Sequence, residues 1–233
     1  MKRYFFIGDI HGCADELKNL VEKLKLTDSD ELISVGDIIN KGPKSNEAVE
    51  FLIDCNAKAV MGNHDILIRY VHDEITQKKK SPFPLKKSHY QLYESLSDRS
   101  RDYILNLPFY YRIKAINTVV IHAGLDPKYS IEEQSESDIV SIRILDTISK
   151  SYVKRDQKGN PWYFYYHGDE RIIYGHSAAQ SIRLHKNTIC IDTGCLYGEK
   201  LTAYILPDER FVSVKAKQVY NDYSQGGKYR IPR

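Results

Sequence analysis

Short apolar runs that stop abruptly at a glycine and a polar residue recur along the chain. The first, Tyr4-Phe5-Phe6-Ile7, is apolar or aromatic throughout and ends at Gly8-Asp9-Ile10-His11-Gly12. A continuous run of this length predicts a buried strand. Leu17, Leu20, Val21 and Leu24 follow at i, i+3, i+4 and i+7, one face of a helix, with Asp15 and Glu16 in the first turn where negative charge is favoured. The same theme returns at 31–35, which runs into Gly36-Asp37, and at 57–61, which runs into Gly62-Asn63-His64-Asp65. It returns again at 119–121, before His122-Ala123-Gly124, and at 172–174, before Gly175-His176. Five strands ending in Asp, Asn or His argue for one site assembled at the carboxyl ends of strands, where open α/β sheets place their ligands.

The remaining pattern fills in around these strands. Ser45 is placed to cap a helix whose inner face is Val49, Leu52 and Ile53. Residues 72–107 are polar and carry Lys78, Lys79, Lys80, Lys86 and Lys87 with Pro82 and Pro84. They read as a solvated, mobile insertion, or as a basic lid that draws phosphorylated substrates inward. Helical spacing reappears at 90–96 and 103–107, and a hairpin is expected from 109–113 and 118–122. A helix is expected over 137–148, with Ile139, Ile142, Leu145 and Ile148 on one face. The aromatic run around Trp162 reads as hairpin packing or as a platform for a base. Strands are expected again at 189–191, 203–206 and 211–214. The domain is expected to span 1–215, with 216–233 a polar tail.

Composition narrows the class without naming it. The chain has 233 residues, enough for one domain with a sizeable core. A net charge of +3 does not suggest a dedicated nucleic-acid binder. Cys13, Cys55, Cys190 and Cys195 show no metal-ligand pairing of the Cys-x-x-Cys kind and read as reduced thiols of a cytoplasmic protein. No apolar stretch approaches the ~20 residues of a membrane span, so no membrane partner is expected.

The ordered set Gly-Asp-x-His-Gly, Gly-Asp, Gly-Asn-His-Asp, His-Ala-Gly and Tyr-Gly-His resembles the phosphoprotein-phosphatase branch of the calcineurin-like metallophosphoesterases. The likeness runs from about Tyr4 to about Leu206. The stretch Ile191-Asp192-Thr193-Gly194-Cys195 and the residues 198–203 resemble the bacterial members, which include symmetrical diadenosine tetraphosphatases and Ser/Thr protein phosphatases. The resemblance implies an α/β fold, an α+β sandwich of two mixed β-sheets packed face to face and flanked by helices. It also implies hydrolysis of a phosphoanhydride or phosphomonoester without a phosphoenzyme.

Mapped by motif, one divalent ion falls to Asp9, His11 and Asp37, and a second to Asp37, Asn63, His122 and His176, with Asp37 shared. Carboxylate, imidazole and amide donors suit Mn first, with Fe, Zn, Co or Ni as alternatives. By the same resemblance His64 is the general acid. Where the family's protein phosphatases carry an Asp and an Arg, this chain has Asn40 and Lys41. Asn cannot stabilise an imidazolium by charge, and Lys lacks the bidentate fork of Arg. This departure leans toward a dinucleoside polyphosphate and away from a phosphoprotein. Arg143, on the helix expected at 137–148, is either a further phosphate-binding residue or a surface Arg. His167, beside Gly168, competes with His176 as a ligand, and the apolar run before His176 favours the latter. The other histidines read as packing or surface residues. A module that binds metal without catalysis is the non-enzymatic alternative, and the intact ligand set argues against it.

Overall fold

In the computed structural model, which describes residues 2–145, 152–153 and 159–222, the chain folds as two five-stranded mixed sheets and a small third sheet. The first half supplies β1 (Tyr4–Ile7), α1 (Ala14–Leu24), β2 (Glu31–Ser34), α2 (Ser45–Asp54) and β3 (Lys58–Ala59). Helices α3 (Ile66–Thr76), α4 (Lys87–Ser95) and α5 (Asp98–Leu105) follow, then β4 (Tyr110–Ile113) and β5 (Thr118–Ile121). After α6 (Glu136–Ser141) come the short β6 (Ile144–Leu145), β7 (Tyr152–Val153) and β8 (Asn160–Pro161), which form the third sheet. The chain then adds β9 (Arg171–Tyr174), β10 (Arg183–His185), β11 (Thr188–Cys190), β12 (Lys200–Leu206) and β13 (Arg210–Lys215).

The first sheet has the order β13-β12-β1-β2-β3 and the second β10-β11-β9-β5-β4. In the first, β1, β2 and β3 are mutually parallel, while β12 and β13 run antiparallel. In the second, β5, β9 and β11 are parallel and the edges β4 and β10 are antiparallel. Strand alternation divides the apolar residues between two faces. Phe6, Ile33 and Val35 of the first sheet meet Val120, Ile173 and Ile189 of the second in one inner core. Phe5 and Ile7 point the other way and pack with Leu17 and Leu20 of α1 and Val49 and Leu52 of α2 in the outer core. The sandwich expected from the resemblance is therefore present.

Three expectations change in detail. Residues 72–107 contain the end of α3 and the whole of α4 and α5, with 77–86 and the short links 96–97 and 106–107 outside helices. Leu92, Tyr93, Leu96 and Ile104 pack into the outer core, so a polar stretch still carries an apolar side. The helix expected over 137–148 stops at Ser141, and Ile142 turns extended with ψ 136°. Leu145 then stays buried as a strand residue, paired with Asn160 of β8. Ile148 lies outside the described residues. Ser45 is the first residue of α2 and not its cap; its hydroxyl accepts the Asn40 N–H at 3.0 Å.

The polar C-terminal stretch begins by folding back. Ala216 is buried, and the Lys217 N–H and Tyr220 hydroxyl both donate to Glu16 Oε1 of α1. Among the described residues no helix is long and apolar enough to cross a membrane.

Candidate metal centre

Every parallel strand of both sheets ends at the same place. The loop after β1 delivers Asp9 and His11, that after β2 Asp37, Asn40 and Lys41, and that after β3 Asn63 and His64. From the second sheet, β5 delivers His122, β9 His176 and β11 Asp192. This last strand end repeats the apolar-then-Asp pattern as Ile189-Cys190-Ile191-Asp192, a signal the sequence reading left unused.

Asp37 sits at the middle of the cluster. Its Oδ2 lies 3.5 Å from His11 Nε2 and 3.4 Å from His122 Nε2, and its Oδ1 accepts the His64 N–H at 2.8 Å. His122 Nδ1 faces the Val35 carbonyl at 2.9 Å and His11 Nδ1 faces the Ile39 carbonyl at 3.3 Å. Both rings are thus held at Nδ1 by a backbone carbonyl and present Nε2 toward Asp37, the arrangement that orients histidines for a metal. Asn63 Oδ1 is 3.1 Å from His122 Nε2. The His176 N–H donates to both oxygens of Asp9, at 3.1 and 3.0 Å. Two groups, His11–Asp37–His64 and Asp37–His122–His176, each bring their ligand atoms within 4.8 Å of one another. They share Asp37.

The backbone is held against its own preference here. His11, Asp37, Asn40, Lys41 and His176 have φ of 48°, 49°, 76°, 71° and 64°. Non-glycine residues in this region cost about 1–3 kcal/mol each, and such strain collects at functional sites. Neighbouring glycines allow the close approach. A Cβ on Gly62 would stand 2.2 Å from Asp37 N and 2.3 Å from Asp37 Oδ1, and one on Gly175 would stand 1.9 Å from Asp9 Oδ1. Asp65 adds a staple that the sequence reading missed. Its Oδ1 accepts the N–H groups of Ile38 and Ile39, and its Oδ2 accepts that of Gly62, so it ties the loop after β2 to the loop after β3.

The electrostatics are those of a site built around positive charge. Burial first, then the Asp192 and Asp37 carboxylates, push Asp9 well above the usual carboxylate range. Burial would raise Asp37 as well, but the His122 imidazole, by its charge and its hydrogen bond, holds it well below the usual carboxylate range. Burial and then the charge of Asp37 push Asp65 up to about 7. His64 is pushed down to about 3, chiefly by burial, so its ring is neutral. Its Nδ1 lies 2.9 Å from Asn40 Nδ2. Asn40 Oδ1 accepts the Lys41 N–H at 2.9 Å, which turns the amide nitrogen toward His64.

A model of the calcineurin-like phosphoesterase family matches residues 2–209. The chain belongs to that family. The phosphoesterase is a hydrolase of phosphoric esters or anhydrides, and its family implies divalent metal ions. It is 30% identical over 236 residues to the asymmetrical bis(5'-nucleosyl)-tetraphosphatase PrpE of Oceanobacillus iheyensis, with 92% of each chain covered. It is 28% identical over 275 residues to the symmetrical bis(5'-nucleosyl)-tetraphosphatase of Buchnera aphidicola, covering 89% of this chain and 96% of that one. A crystal structure provisionally described as a diadenosine tetraphosphatase superposes with a TM-score of 0.82 at 31% identity, covering 92% of this chain and 93% of its own.

The other expected residues fall as follows. Arg143 of the phosphoesterase is not on a helix; it lies between α6 and β6, with Nη1 donating to the His176 carbonyl at 2.9 Å and to Ser177 Oγ at 3.2 Å. Lys78, Lys79 and Lys80 lie beyond the far end of α3, whose 11 residues carry the chain about 16 Å from the site. His167 is exposed beside Lys186. Trp162 is buried, packs on Tyr174 and donates to the Ala123 carbonyl, so it is a core residue and not an open platform.

Proposed function

We propose that the chain hydrolyses the phosphoanhydride chain of a dinucleoside polyphosphate, with diadenosine tetraphosphate as the type substrate. One divalent ion would be held by Asp9, His11 and Asp37, the other by Asp37, Asn63, His122 and His176. The donors fit such ions: oriented Nε2 atoms on two histidines, an amide oxygen, and buried carboxylates that repel one another without a cation. Mn is the metal of choice for this oxygen- and imidazole-rich set. When bound, two such ions supply Lewis acidity that lowers the pKa of water and offsets charge on phosphoryl oxygens.

The observation that carries the substrate class is the Asn40 amide. Its oxygen is held by the Lys41 N–H, so its nitrogen donates to His64 Nδ1 and the His64 proton resides on Nε2. A neutral ring of this kind can donate a hydrogen bond, but no anion stands at Nδ1 to support an imidazolium. Phosphoserine departs as an alkoxide that needs a full proton. A polyphosphate departs as a phosphate anion that is stable as it leaves. Lys41, on the loop after β2, presents a point charge to a chain of phosphates, and Arg143 lies near enough for the two charges to act on each other. The tetraphosphatases among the relatives agree with this reading.

The test compares kcat/KM for diadenosine tetraphosphate and for a phosphoserine peptide, with Mn present. The dinucleotide is expected to win by tenfold or more. A tenfold preference for the phosphopeptide refutes the reading and restores a protein phosphatase. Because the relatives include both cleavage types, the products also need to be resolved. AMP with ATP marks asymmetrical cleavage, and ADP alone marks symmetrical cleavage.

A further inference from the structure

Behind the dinuclear centre, three residues from separate stretches meet in the outer core. Cys13 precedes α1, Glu16 lies in its first turn, and Cys195 opens the short 3-10 turn Cys195–Tyr197 after Asp192. Each is about 1% exposed. One sulfur from each cysteine and one carboxylate oxygen lie within 4.8 Å of one another, and the two thiols hydrogen-bond together. Glu16 Oε1 is satisfied by the Lys217 N–H at 2.8 Å and the Tyr220 hydroxyl at 2.7 Å. Glu16 Oε2 has no hydrogen-bond partner. A buried carboxylate oxygen left unpaired is costly, and a thiol is only a weak donor to it.

We infer that Cys13, Cys195 and Glu16 form a separate cation site that takes a thiophilic divalent ion, with Zn²⁺ the best fit. Zinc–sulfur bonds of about 2.3 Å in a tetrahedron set two thiolates about 3.7 Å apart, a separation compatible with ligand atoms that all lie within 4.8 Å of one another. Two thiolates and one carboxylate suit zinc and discriminate against the hard ions that the oxygen-rich centre accepts. Binding would release both thiol protons and give Glu16 Oε2 its missing partner. The three donors also join the loop after β1, the start of α1 and the loop after β11. The chain at 216–222 closes the assembly, with Tyr220 and Asn221 donating to the Leu196 carbonyl. An ion here would brace, from behind, the loops that carry Asp9, His11 and Asp192.

Cobalt distinguishes this site from the dinuclear one, whose donors include no sulfur. The full chain, purified under reductant and stripped of metal, is titrated with Co²⁺ and followed in the near ultraviolet. A sulfur-to-cobalt charge-transfer band is expected, displaced by Zn²⁺. Cys13→Ser and Cys195→Ser should each abolish it, and Glu16→Gln should keep the thiols but weaken cobalt binding by tenfold or more. Absence of the band in the wild-type chain, which needs no variant to fold, overturns the proposal. So does a band of wild-type intensity in both serine variants, which would trace it to Cys55 or Cys190.

Discussion

The Asn40 amide is pinned at both ends, by the Lys41 N–H at its oxygen and by His64 Nδ1 at its nitrogen. Replacing it with Asp places an anion against the same ring nitrogen and supports the imidazolium that an alkoxide leaving group requires. Asn40→Asp is expected to raise kcat/KM for a phosphoserine peptide by about tenfold or more, a part of the 10²–10⁴ that a general acid contributes. Hydrolysis of the dinucleotide should change less, which side-by-side rates on both substrates would show. The residue His64 has two geometric options, since it also stands within ligating reach of His11 and Asp37. His64→Asn decides between them. Retention of both metals with turnover slowed by roughly 10²-fold or more fits a proton or hydrogen-bond donor. Collapse of metal content makes it a ligand. At this scale the sequence named the substitution of Asn for Asp, but the direction of the amide was not legible. It depends on the left-handed backbone at Asn40 and Lys41 and on the Ser45 hydroxyl that holds the Asn40 N–H.

Elements place these residues by ending where they do. The loop after β2 and the loop after β3 approach so closely that Gly62 has no room for a side chain, and Asp65 staples the two together from below. Gly62→Ala should therefore displace Asp37 while leaving both apolar cores untouched. A misplacement of about 1 Å at a reacting centre costs on the order of 10²-fold in rate, and a loss of that size is the expected result. A wild-type kcat with wild-type metal content would show that the contact is not needed. Strand ends were legible because an apolar run broken by Gly and Asp or His leaves few other structures open. The region after Glu136 was less so. Ile139, Ile142 and Leu145 match a helical face, yet Ile142 and Leu145 are equally well buried from extended chain, and periodicity over so short a run cannot separate the two. In α4 and α5 helical spacing was legible at 90–96 and 103–107, but the polar side dominated the signal, so the docking of Leu92, Leu96 and Ile104 into the outer core was not.

Across the whole molecule, two mixed sheets meet face to face with their parallel strands pointing one way, so residues far apart in sequence converge on a single carboxylate. Five of the converging strand ends were read from the sequence together with their donors. The sixth, at Asp192, carried the same apolar-then-Asp signal without being counted, and Asp65 lay inside a quoted motif, but its tie between the loops after β2 and β3 shows only in three-dimensional proximity. The central claim is that Asp37 gathers two ions. Elemental analysis of the wild-type chain and of Asp37→Asn, each loaded with Mn and freed of excess, tests it most directly. The wild-type chain should hold about two ions at this centre and the variant about one or fewer, with hydrolysis of the dinucleotide abolished. A variant that keeps both ions and full activity would contradict the account.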